Sequence, residues 1–338
     1  MRNTVYRTVN DRKGTLGASQ WGGALGVSTF QTPHSVWEDY ARGVQRNITP
    51  EMQERFWMGH MTEKFQRELF AEKWGVRIKT DPKKGDKEKM YLSPRDHRLG
   101  CHPDGYIDSK RTDKNRDKVE AMLTELGLAP LCEKDNIRIG IECKNRDAFA
   151  YEKWGAALTD EIPYDYMTQC NAYFECLDCD VVFLLCFTNN HQLVYIVKRD
   201  EEVLEGIIAS LKEWLDEVDR GVEPEAINYE EATTINGGAR SGCISADDSW
   251  FELSKEWESL KEDKKAIELK IDDVKARIVT KIGDAESVIY QDSKGKEKKL
   301  LTYKRYETKT LDKDKLFSEH PELNQADYLK ITTYMKLS

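Results

Sequence analysis

One short segment near the middle of the chain combines a carboxylate and a lysine in the spacing of a β-strand. Residues 137–144 alternate between apolar and other side chains, which predicts a strand with two distinct faces. The apolar face carries Ile137, Ile139, Ile141 and Cys143. The opposite face carries Arg138, Gly140, Glu142 and Lys144. Glu142 and Lys144 would lie about 7 Å apart along this strand, close enough to act on one bound group.

A second carboxylate, Asp104, belongs to the segment His102-Pro-Asp104-Gly105. If this segment begins a neighbouring strand, the Asp104 carboxylate enters the same space as Glu142. Paired carboxylates suit Mg²⁺, which prefers oxygen ligands, and the carbonyl of Cys143 can supply a third ligand. Such a cation activates water, and Lys144 can orient that water. The alternative interpretation is an ordinary solvated strand face, with His102 as a hydrogen-bonding neighbour rather than a metal ligand.

Two predicted helices carry further polar residues that could join this site. Thr49-Pro50-Glu51 is a typical helix start, and the helix should run to Trp74-Gly75 and include Glu63. A second helix over 163–177 places Gln169 and Tyr173 four residues apart, on one face. The alternative for Glu63 is a solvated helix face, because the same helix carries four other acids. For Gln169 and Tyr173 the alternative is ordinary packing between elements.

The remaining pattern predicts a mixed α/β domain followed by an appendage. Three further strands are expected at 106–108, 180–187 and 192–197, and an amphipathic helix at 200–218. Glycine-rich and polar residues at 226–245 indicate a linker. Beyond it we predict an amphipathic helix from Trp250 to about Ile282 and a hairpin of 287–290 with 300–306. The expected domains are therefore 1–225 and 246–338.

Composition narrows the classes of protein that fit. The 338 residues include 61 acids and 52 Lys or Arg, so the net charge is −9 and any DNA binding must use a local patch. The longest apolar stretch, 181–187, is far shorter than the roughly 20 residues that a bilayer span needs. The first seven residues lack the apolar run of a secretory signal, which favours the reducing cytosol and free thiols.

Some of the eight cysteines and several aromatic residues leave alternatives open. Four closely spaced cysteines could bind an iron–sulfur cluster or zinc if their thiols converged on one point. The alternative is that they are buried thiols without a metal. These cysteines are Cys170, Cys176, Cys179 and Cys186. Four aromatic residues could stack on bases, although core packing is the commoner use; they are Trp21, Phe30, Trp37 and Trp154.

The order of the candidate residues is similar to that of a known superfamily. Glu63, Asp104, Glu142-Cys-Lys144 and Gln169-Cys-Asn-Ala-Tyr173 together resemble the PD-(D/E)XK nucleases. Surrounding motifs narrow this to a resemblance to the phage lambda exonuclease, or YqaJ-type viral recombinase, family over residues 12 to about 200. These motifs are Arg12-Lys-Gly14, Trp57-Met-Gly59-His-Met-Thr-Glu63, Pro103-Asp104-Gly105, Glu142-Cys-Lys144, Arg146-Asp147 and Tyr166-Met-Thr-Gln169.

The resemblance implies roles for individual residues. The implied metal ligands are Glu63, Asp104 and Glu142, to which the Cys143 carbonyl could add, and Lys144 is the implied catalytic lysine. Gln169 would hold the water or the scissile phosphate, with Tyr173 on the same face. Arg12 and Ser19 would bind a terminal 5′-phosphate, and Arg146 would contact the DNA strand.

The same resemblance implies a fold and an activity. The fold would be a restriction-endonuclease-like PD-(D/E)XK core, a mixed central sheet flanked by helices, with a C-terminal helical and β-hairpin appendage. The activity would be Mg²⁺-dependent, with Mn²⁺ able to substitute. It would be 5′-to-3′ digestion of duplex DNA ends, leaving 3′ overhangs for a single-strand annealing protein. The family implies a ring-shaped homotrimer. The gene would belong to a phage or mobile element, and the protein would act in the bacterial cytoplasm without binding a membrane.

Two other functions also fit the sequence. One is a PD-(D/E)XK endonuclease or repair nuclease, with iron–sulfur bound by the four closely spaced cysteines. The other is a DNA-end-binding scaffold without catalysis, although the intact set of acids and lysine argues against a decayed site. The chain departs from the compact family pattern by an insertion at 110–136, with a predicted helix at 117–126, and by the residues beyond about 225.

Overall fold

The fold is that of a computed structural model, which describes residues 6–8, 14–44, 49–81, 89–146, 154–235, 243–291, 295–308, 310 and 312–321. The strands, in chain order, are β1 (Tyr6–Thr8), β2 (Leu16–Gly17), β3 (Lys89–Leu92), β4 (Leu99–Cys101), β5 (Gly105–Lys110), β6 (Asn136–Asn145), β7 (Val181–Thr188), β8 (His191–Lys198), β9 (Ser287–Gln291) and β10 (Glu297–Thr302). The helices are α1 (Ala18–Ala24), α2 (Pro33–Trp37), α3 (Pro50–Trp74), α4 (Arg116–Glu125), α5 (Tyr164–Leu177), α6 (Glu201–Asp219), α7 (Tyr229–Ile235), α8 (Asp248–Ile282) and α9 (Lys313–Glu319). A π-helical turn covers Glu38–Arg42, and a 3₁₀ turn covers Ala129–Glu133.

A mixed sheet in the order β5-β6-β7-β8 forms the centre of the N-terminal unit. β6 pairs with β5 in antiparallel and with β7 in parallel orientation, and β7 pairs with β8 in antiparallel orientation. A second sheet has the order β1-β3-β4-β2. The expected mixed sheet flanked by helices is confirmed.

Both faces of the central sheet are covered by helices. The face formed by alternate β6 residues, such as Ile139 and Ile141, packs with Phe70 of α3 and Met122 of α4. On the opposite face, residues of α5 and α6 pack with alternate residues of β7. Glu142 is therefore 1% exposed, and the interpretation of its side as a solvated strand face is wrong.

Local signals at the ends of α3 explain the limits predicted for it. The Thr49 hydroxyl accepts a hydrogen bond from the amide of Met52, and Pro50 occupies the first turn. Gly75 ends the helix with φ of 63°, a left-handed conformation that glycine adopts without strain. The predicted helix from Thr49 to Gly75 is thus confirmed.

The insertion at 110–136 folds against the central sheet through a buried arginine. Helix α4 matches the helix predicted at 117–126 to within one residue at each end. Its first residue, Arg116, is 4% exposed. Its guanidinium donates to the carbonyls of Ser109, Cys132 and Lys134 and pairs with Glu120 at 2.6 Å. These bonds satisfy backbone acceptors at both ends of the insertion.

The chain divides into two compact units, residues 1–236 and 237–338. The second unit contains the predicted long helix, here α8, and an antiparallel hairpin of β9 and β10. Helix α7 lies within the segment predicted as a linker, so only part of 226–245 lacks regular structure among the described residues. The domain limits of 225 and 246 stay a prediction.

No helix in the described parts of the chain has the length and apolar character needed to cross a membrane.

Gly140 of β6 allows α5 to approach the sheet. A Cβ at this position would lie 2.6 Å from Cδ2 of Tyr173, whose ring is fully buried. We expect Gly140→Ala to lower the free energy of unfolding by about 1–3 kcal/mol, because the ring must move.

Gly206→Ala in α6 is the matched control for urea unfolding. Apart from the backbone of α6 itself, no described atom lies within 4 Å of the position that a Cβ would take at Gly206. This change should therefore raise the free energy of unfolding by about 0.5–1 kcal/mol. Equal effects of the two substitutions would contradict the close approach of α5 to β6.

Candidate active site

The carboxylate of Glu142 lies at the centre of a hydrogen-bonded cluster. Lys144, two residues later on the same face of β6, places its Nζ 2.7 Å from Oε1 of Glu142. Gln169 of α5 donates through Nε2 to the same oxygen at 2.8 Å. The hydroxyl of Tyr173 donates to Oε2. The spacing of Gln169 and Tyr173 places both on one helical face, so α5 holds both oxygens of the carboxylate.

Asp104 joins this cluster from the neighbouring strand. It directly precedes β5, whose Gly105 is paired with Ile141 of β6. Its Oδ2 accepts a hydrogen bond from the amide of Cys143 at 2.9 Å. Its own amide donates to the hydroxyl oxygen of Tyr173 at 3.1 Å. One tyrosine hydroxyl therefore links the backbone at Asp104 to the carboxylate of Glu142.

Burial and neighbouring charges set the protonation of this cluster. Burial raises the pKa of Glu142 to about 7; the charge of Lys144 opposes the rise and the charge of Asp104 adds to it. Burial alone would lower the pKa of Lys144, but the charges of Glu142 and Asp104 outweigh it and raise that pKa above its usual value. Lys144 is therefore a firmly protonated cation beside a carboxyl group that can gain a proton near neutral pH.

The donor set of this cluster fits a hard cation. Asp104 and Glu142 are two oxygen donors close enough for the charge of Asp104 to raise the pKa of Glu142, and the carbonyl of Cys143 directly follows Glu142 in sequence. A divalent cation would relieve this repulsion. Among the described residues, however, no three or more His, Cys, Asp or Glu side chains are grouped as a complete metal site.

Glu63, the third predicted ligand, lies on α3 beside the cluster. Its backbone carbonyl accepts from Sγ of Cys143 at 3.8 Å, so α3 passes next to β6. Its side chain is 17% exposed and lies 3.8 Å from Nη1 of Arg67. The interpretation of Glu63 as a solvated surface charge is thus wrong, but its role as a metal ligand stays a prediction.

A polar network that the sequence did not reveal fixes α3 to the end of β6. Asn145 donates to the hydroxyl of Thr62 at 2.6 Å and accepts from Nε2 of the buried Gln66 at 3.1 Å. Gln192 of β8 donates to the backbone carbonyl of Gln66 at 2.7 Å. The only sequence signals are that Asn145 follows Lys144 and that Thr62 and Gln66 flank Glu63 on its helix.

Aromatic rings border the cationic side of the site. Nζ of Lys144 lies 5.0 Å from the centre of the Tyr166 ring, and the guanidinium of Arg146 lies 5.5 Å from the centre of Trp154. The Trp154 and Tyr166 rings are 5.5 Å apart. Trp154 thus packs between protein groups. Of the other aromatic residues considered for base stacking, Trp21 and Trp37 are buried in the core, whereas Phe30 is exposed.

A cleft of about 880 Å³ adjoins the cluster and collects further predicted residues. Its lining includes Ser19 and His102 together with Gln169, so these three sequence positions do meet at one surface. Asp39 and Arg42 line it as well. Arg12, the other predicted phosphate contact, lies outside the described residues. His102 therefore borders the site, and a ligand role for it stays a prediction.

The cysteines are free thiols, and most are buried. Burial raises the pKa of the Cys101 thiol well above its usual value, and the neighbouring Cys176 adds to the rise. Cys170, Cys176, Cys179 and Cys186 are all described and buried, and no metal-holding group of three or more ligands is found in the described chain. The geometry matches the alternative of buried thiols packed between α5 and β7.

The mixed sheet defines a PD-(D/E)XK-type core, with Asp104 just before β5 and Glu142 and Lys144 near the end of β6. Residues 9–180 match the model of the YqaJ-like viral recombinase domain. The chain belongs to the YqaJ-like viral recombinase family, and thereby to the nucleases of the lambda exonuclease type. The resemblance identified in the sequence is confirmed.

Solved structures with similar folds are distant in sequence. The alkaline exonuclease LHK-Exo from Laribacter hongkongensis is 13% identical, with a TM-score of 0.42 over 68% of this chain and 97% of that chain. Its complex with dAMP gives 12% identity and a TM-score of 0.42 over 67% and 95%. A structure described as SSO0001 gives 9% identity and a TM-score of 0.32 over 60% and 77%. No curated protein matches the chain.

The bridging hydroxyl of Tyr173 provides a direct test of this geometry. We expect Tyr173→Phe to slow nuclease turnover about ten- to a hundredfold, because Glu142 loses a donor and the Asp104 amide loses its acceptor. Tyr91→Phe is the matched control, since its buried hydroxyl bonds to the carboxylate of Asp81, outside the cluster. Rates measured under single-turnover conditions should fall in the first variant alone. Equal rates in both would contradict a role for the Tyr173 bridge.

Proposed function

We propose that this chain is a Mg²⁺-dependent exonuclease that digests one strand of duplex DNA from a 5′ end. The observation that carries this proposal is the buried Glu142 carboxylate, held by Lys144 and α5 beside Asp104. Family membership supports the nuclease class. The polarity and the requirement for Mg²⁺ are proposed from the resemblance to the family.

The residues of the cluster divide the catalytic work. Asp104, Glu142 and the carbonyl of Cys143 would hold Mg²⁺, with Glu63 near them on α3. Mg²⁺, when bound, supplies an acidified water and neutralises charge on the phosphate. Lys144, kept protonated by its neighbours, is positioned to hold a water or a phosphate oxygen by hydrogen bonding. Its present partner, Glu142, would exchange that contact for the cation.

Helix α5 keeps the cluster in order. Gln169 reaches Glu142 and also lines the cleft, so the same amide can contact a substrate phosphate. Tyr173 holds Glu142 from the buried side and has no exposed surface. We assign Gln169 to substrate and ligand positioning, and Tyr173 to ligand positioning. Such fixed geometry favours in-line attack on the phosphorus.

The cleft supports a preference for a 5′-phosphorylated end. Ser19 and Gln169 line it together, and Arg12 belongs to the chain segment that directly precedes it. A phosphate there would gain charge-assisted hydrogen bonds from Arg12. Arg146, close to the active cluster in sequence and beside Trp154, is the proposed contact to the DNA strand.

The family assignment extends the proposal to partners and place of action. The product would be a duplex with a 3′ overhang, which a single-strand annealing protein would use in recombination. A ring-shaped trimer around the DNA would allow many nucleotides to be removed in one encounter. The protein would act in the cytoplasm of a bacterial host, encoded by a phage or mobile element.

Linear and covalently closed circular duplexes distinguish the proposed activity from its rivals. With Mg²⁺, the chain should release mononucleotides from linear DNA and leave the circle intact. Lys144→Met should reduce the rate by about a hundredfold or more, since the hydrogen bonds to the nucleophile or phosphate are lost. Lys134→Met is the matched control, because Lys134 lies in the insertion and pairs with Asp180.

The other outcomes of this experiment are equally informative. Cleavage of the circle would indicate an endonuclease, and DNA-end binding without nucleotide release would indicate a scaffold. A 5′-phosphorylated end should be digested faster than a 5′-hydroxyl end, and Ser19→Ala should reduce that difference. Release of nucleotides from 3′ ends first would overturn the proposed polarity.

A further inference from the structure

Helix α8 carries a repeat that the nuclease unit does not use. Its apolar residues recur at alternating intervals of three and four, the a and d positions of a heptad. We call the ten residues at these positions the α8 seam; they are Trp250, Leu253, Trp257, Leu260, Lys264, Ile267, Ile271, Val274, Ile278 and Lys281. The repeat runs through the whole helix, and its one interior charge is Lys264.

The α8 seam is largely exposed within the single chain. Leu260, Ile267 and Ile271 are 59%, 54% and 48% exposed, respectively. The helix has 35 residues, so it is about 52 Å long. A helix of this length with a continuous apolar stripe gains most of its stability from a partner that covers the stripe.

We propose that α8 pairs with α8 of a second copy of this chain in an antiparallel two-stranded coiled coil. The heptad spacing favours a helix with the same spacing as its partner, because side chains then interlock along the whole seam. The orientation follows from the charged residues that flank the seam at the e and g positions.

A parallel pair would place like charges together. Lys264 would face Lys264 of the second copy inside the seam. At the flanks, Asp263 would lie beside Glu268 of the second copy, and Lys270 beside Lys275 of the second copy. The only attractive flanking pair in this orientation is Glu256 with Lys261. Like charges across a coiled coil oppose pairing.

An antiparallel pair removes these conflicts and fills every layer of the seam. With Lys264 opposite Ile267 of the second copy, the other layers are Leu260 with Ile271, Trp257 with Val274, Leu253 with Ile278, and Trp250 with Lys281. The flanking pairs then have opposite charges: Glu256 with Arg277, Lys261 with Glu268, and Asp263 with Lys270. Each pair occurs twice by symmetry.

The two kinds of contact have different consequences. Exposed ion pairs are individually weak, so the flanking charges decide the orientation more than the affinity. Burial of the leucines, isoleucines and tryptophans of the seam supplies the affinity. The lysine stem of Lys264 can cover apolar surface while its ammonium stays at the edge of the seam. This association rests on the second unit alone and does not depend on the proposed nuclease activity.

The first test compares two substitutions in the full chain. Ile267→Asp changes the seam, whereas Leu269→Asp makes the same kind of change on the outer side of the same helix. Both residues are exposed in the single chain, at 54% and 64%. The solution mass, measured by light scattering, should fall by a factor of two or more in Ile267→Asp and match the unaltered chain in Leu269→Asp.

Because the proposed pair joins copies that the nuclease unit does not itself hold together, the mass should fall by this factor whatever number of copies that unit assembles. Identical masses for all three proteins would overturn the proposal. Loss of mass in both variants would overturn it as well, because the outer face would then be equally important. Circular dichroism of each variant checks that helix content is retained.

Disulfide cross-linking tests the orientation independently of stability. In a Cys243→Ser background, Leu253→Cys and Ile278→Cys are made in separate chains, since Cys243 is the exposed cysteine nearest α8. In the antiparallel pair, two copies of position 253 lie about 37 Å apart, so neither variant should cross-link to itself under mild oxidation. A mixture of the two should give cross-linked heterodimers.

Each other result contradicts the proposal. Cross-linking of each variant to itself would indicate a parallel pair. Failure of the mixture to cross-link would show that these two layers do not meet. Nuclease assays on the same samples are read separately, so a lack of nuclease activity leaves the association result intact.

Discussion

A buried carboxylate next to a second carboxylate is the constraint on which the site depends. Glu142 has almost no exposed surface, yet it lies within the electrostatic reach of Asp104. Such a group is costly to bury unless donors and cations surround it. Lys144, Gln169 and Tyr173 meet that need, and they do so with contacts to both carboxylate oxygens.

Much of the surrounding fold can be understood as support for these contacts. The β6–β7 pairing fixes Glu142 and Lys144 in the middle of the sheet, and Gly140 lets α5 come close enough for Tyr173 to reach Glu142. On the other side, Asn145 ties the end of β6 to Thr62 of α3. The helix that carries Glu63 is thereby held beside the cluster.

The sequence predicted what depends on local periodicity and failed where distant segments meet. Alternation in 137–144 placed Glu142 and Lys144 on one face, and the i and i+4 spacing placed Gln169 with Tyr173. The burial of Glu142 could not be predicted, because it results from α5 packing on that face after a parallel crossover. The network of Thr62, Gln66 and Asn145 joins residues about eighty positions apart, which no local pattern reports. The helix α7 was missed because its polar residues lie in a segment with loop-like neighbours.

Binding of Mn²⁺ as a function of pH tests the central claim most directly. A protonated Glu142 must lose its proton to bind a cation, so the calorimetric affinity without DNA should fall about tenfold per pH unit below 7 and level off above about 8. Glu142→Gln should weaken binding and abolish this dependence, whereas His102→Asn, which removes the imidazole that borders the site, should keep it. A Mn²⁺ affinity that is constant from about pH 5.5 to 8.5, or unchanged in Glu142→Gln, would contradict this account. In it, the buried Glu142 carboxyl group gives up its proton and its contact with Lys144 when a cation binds.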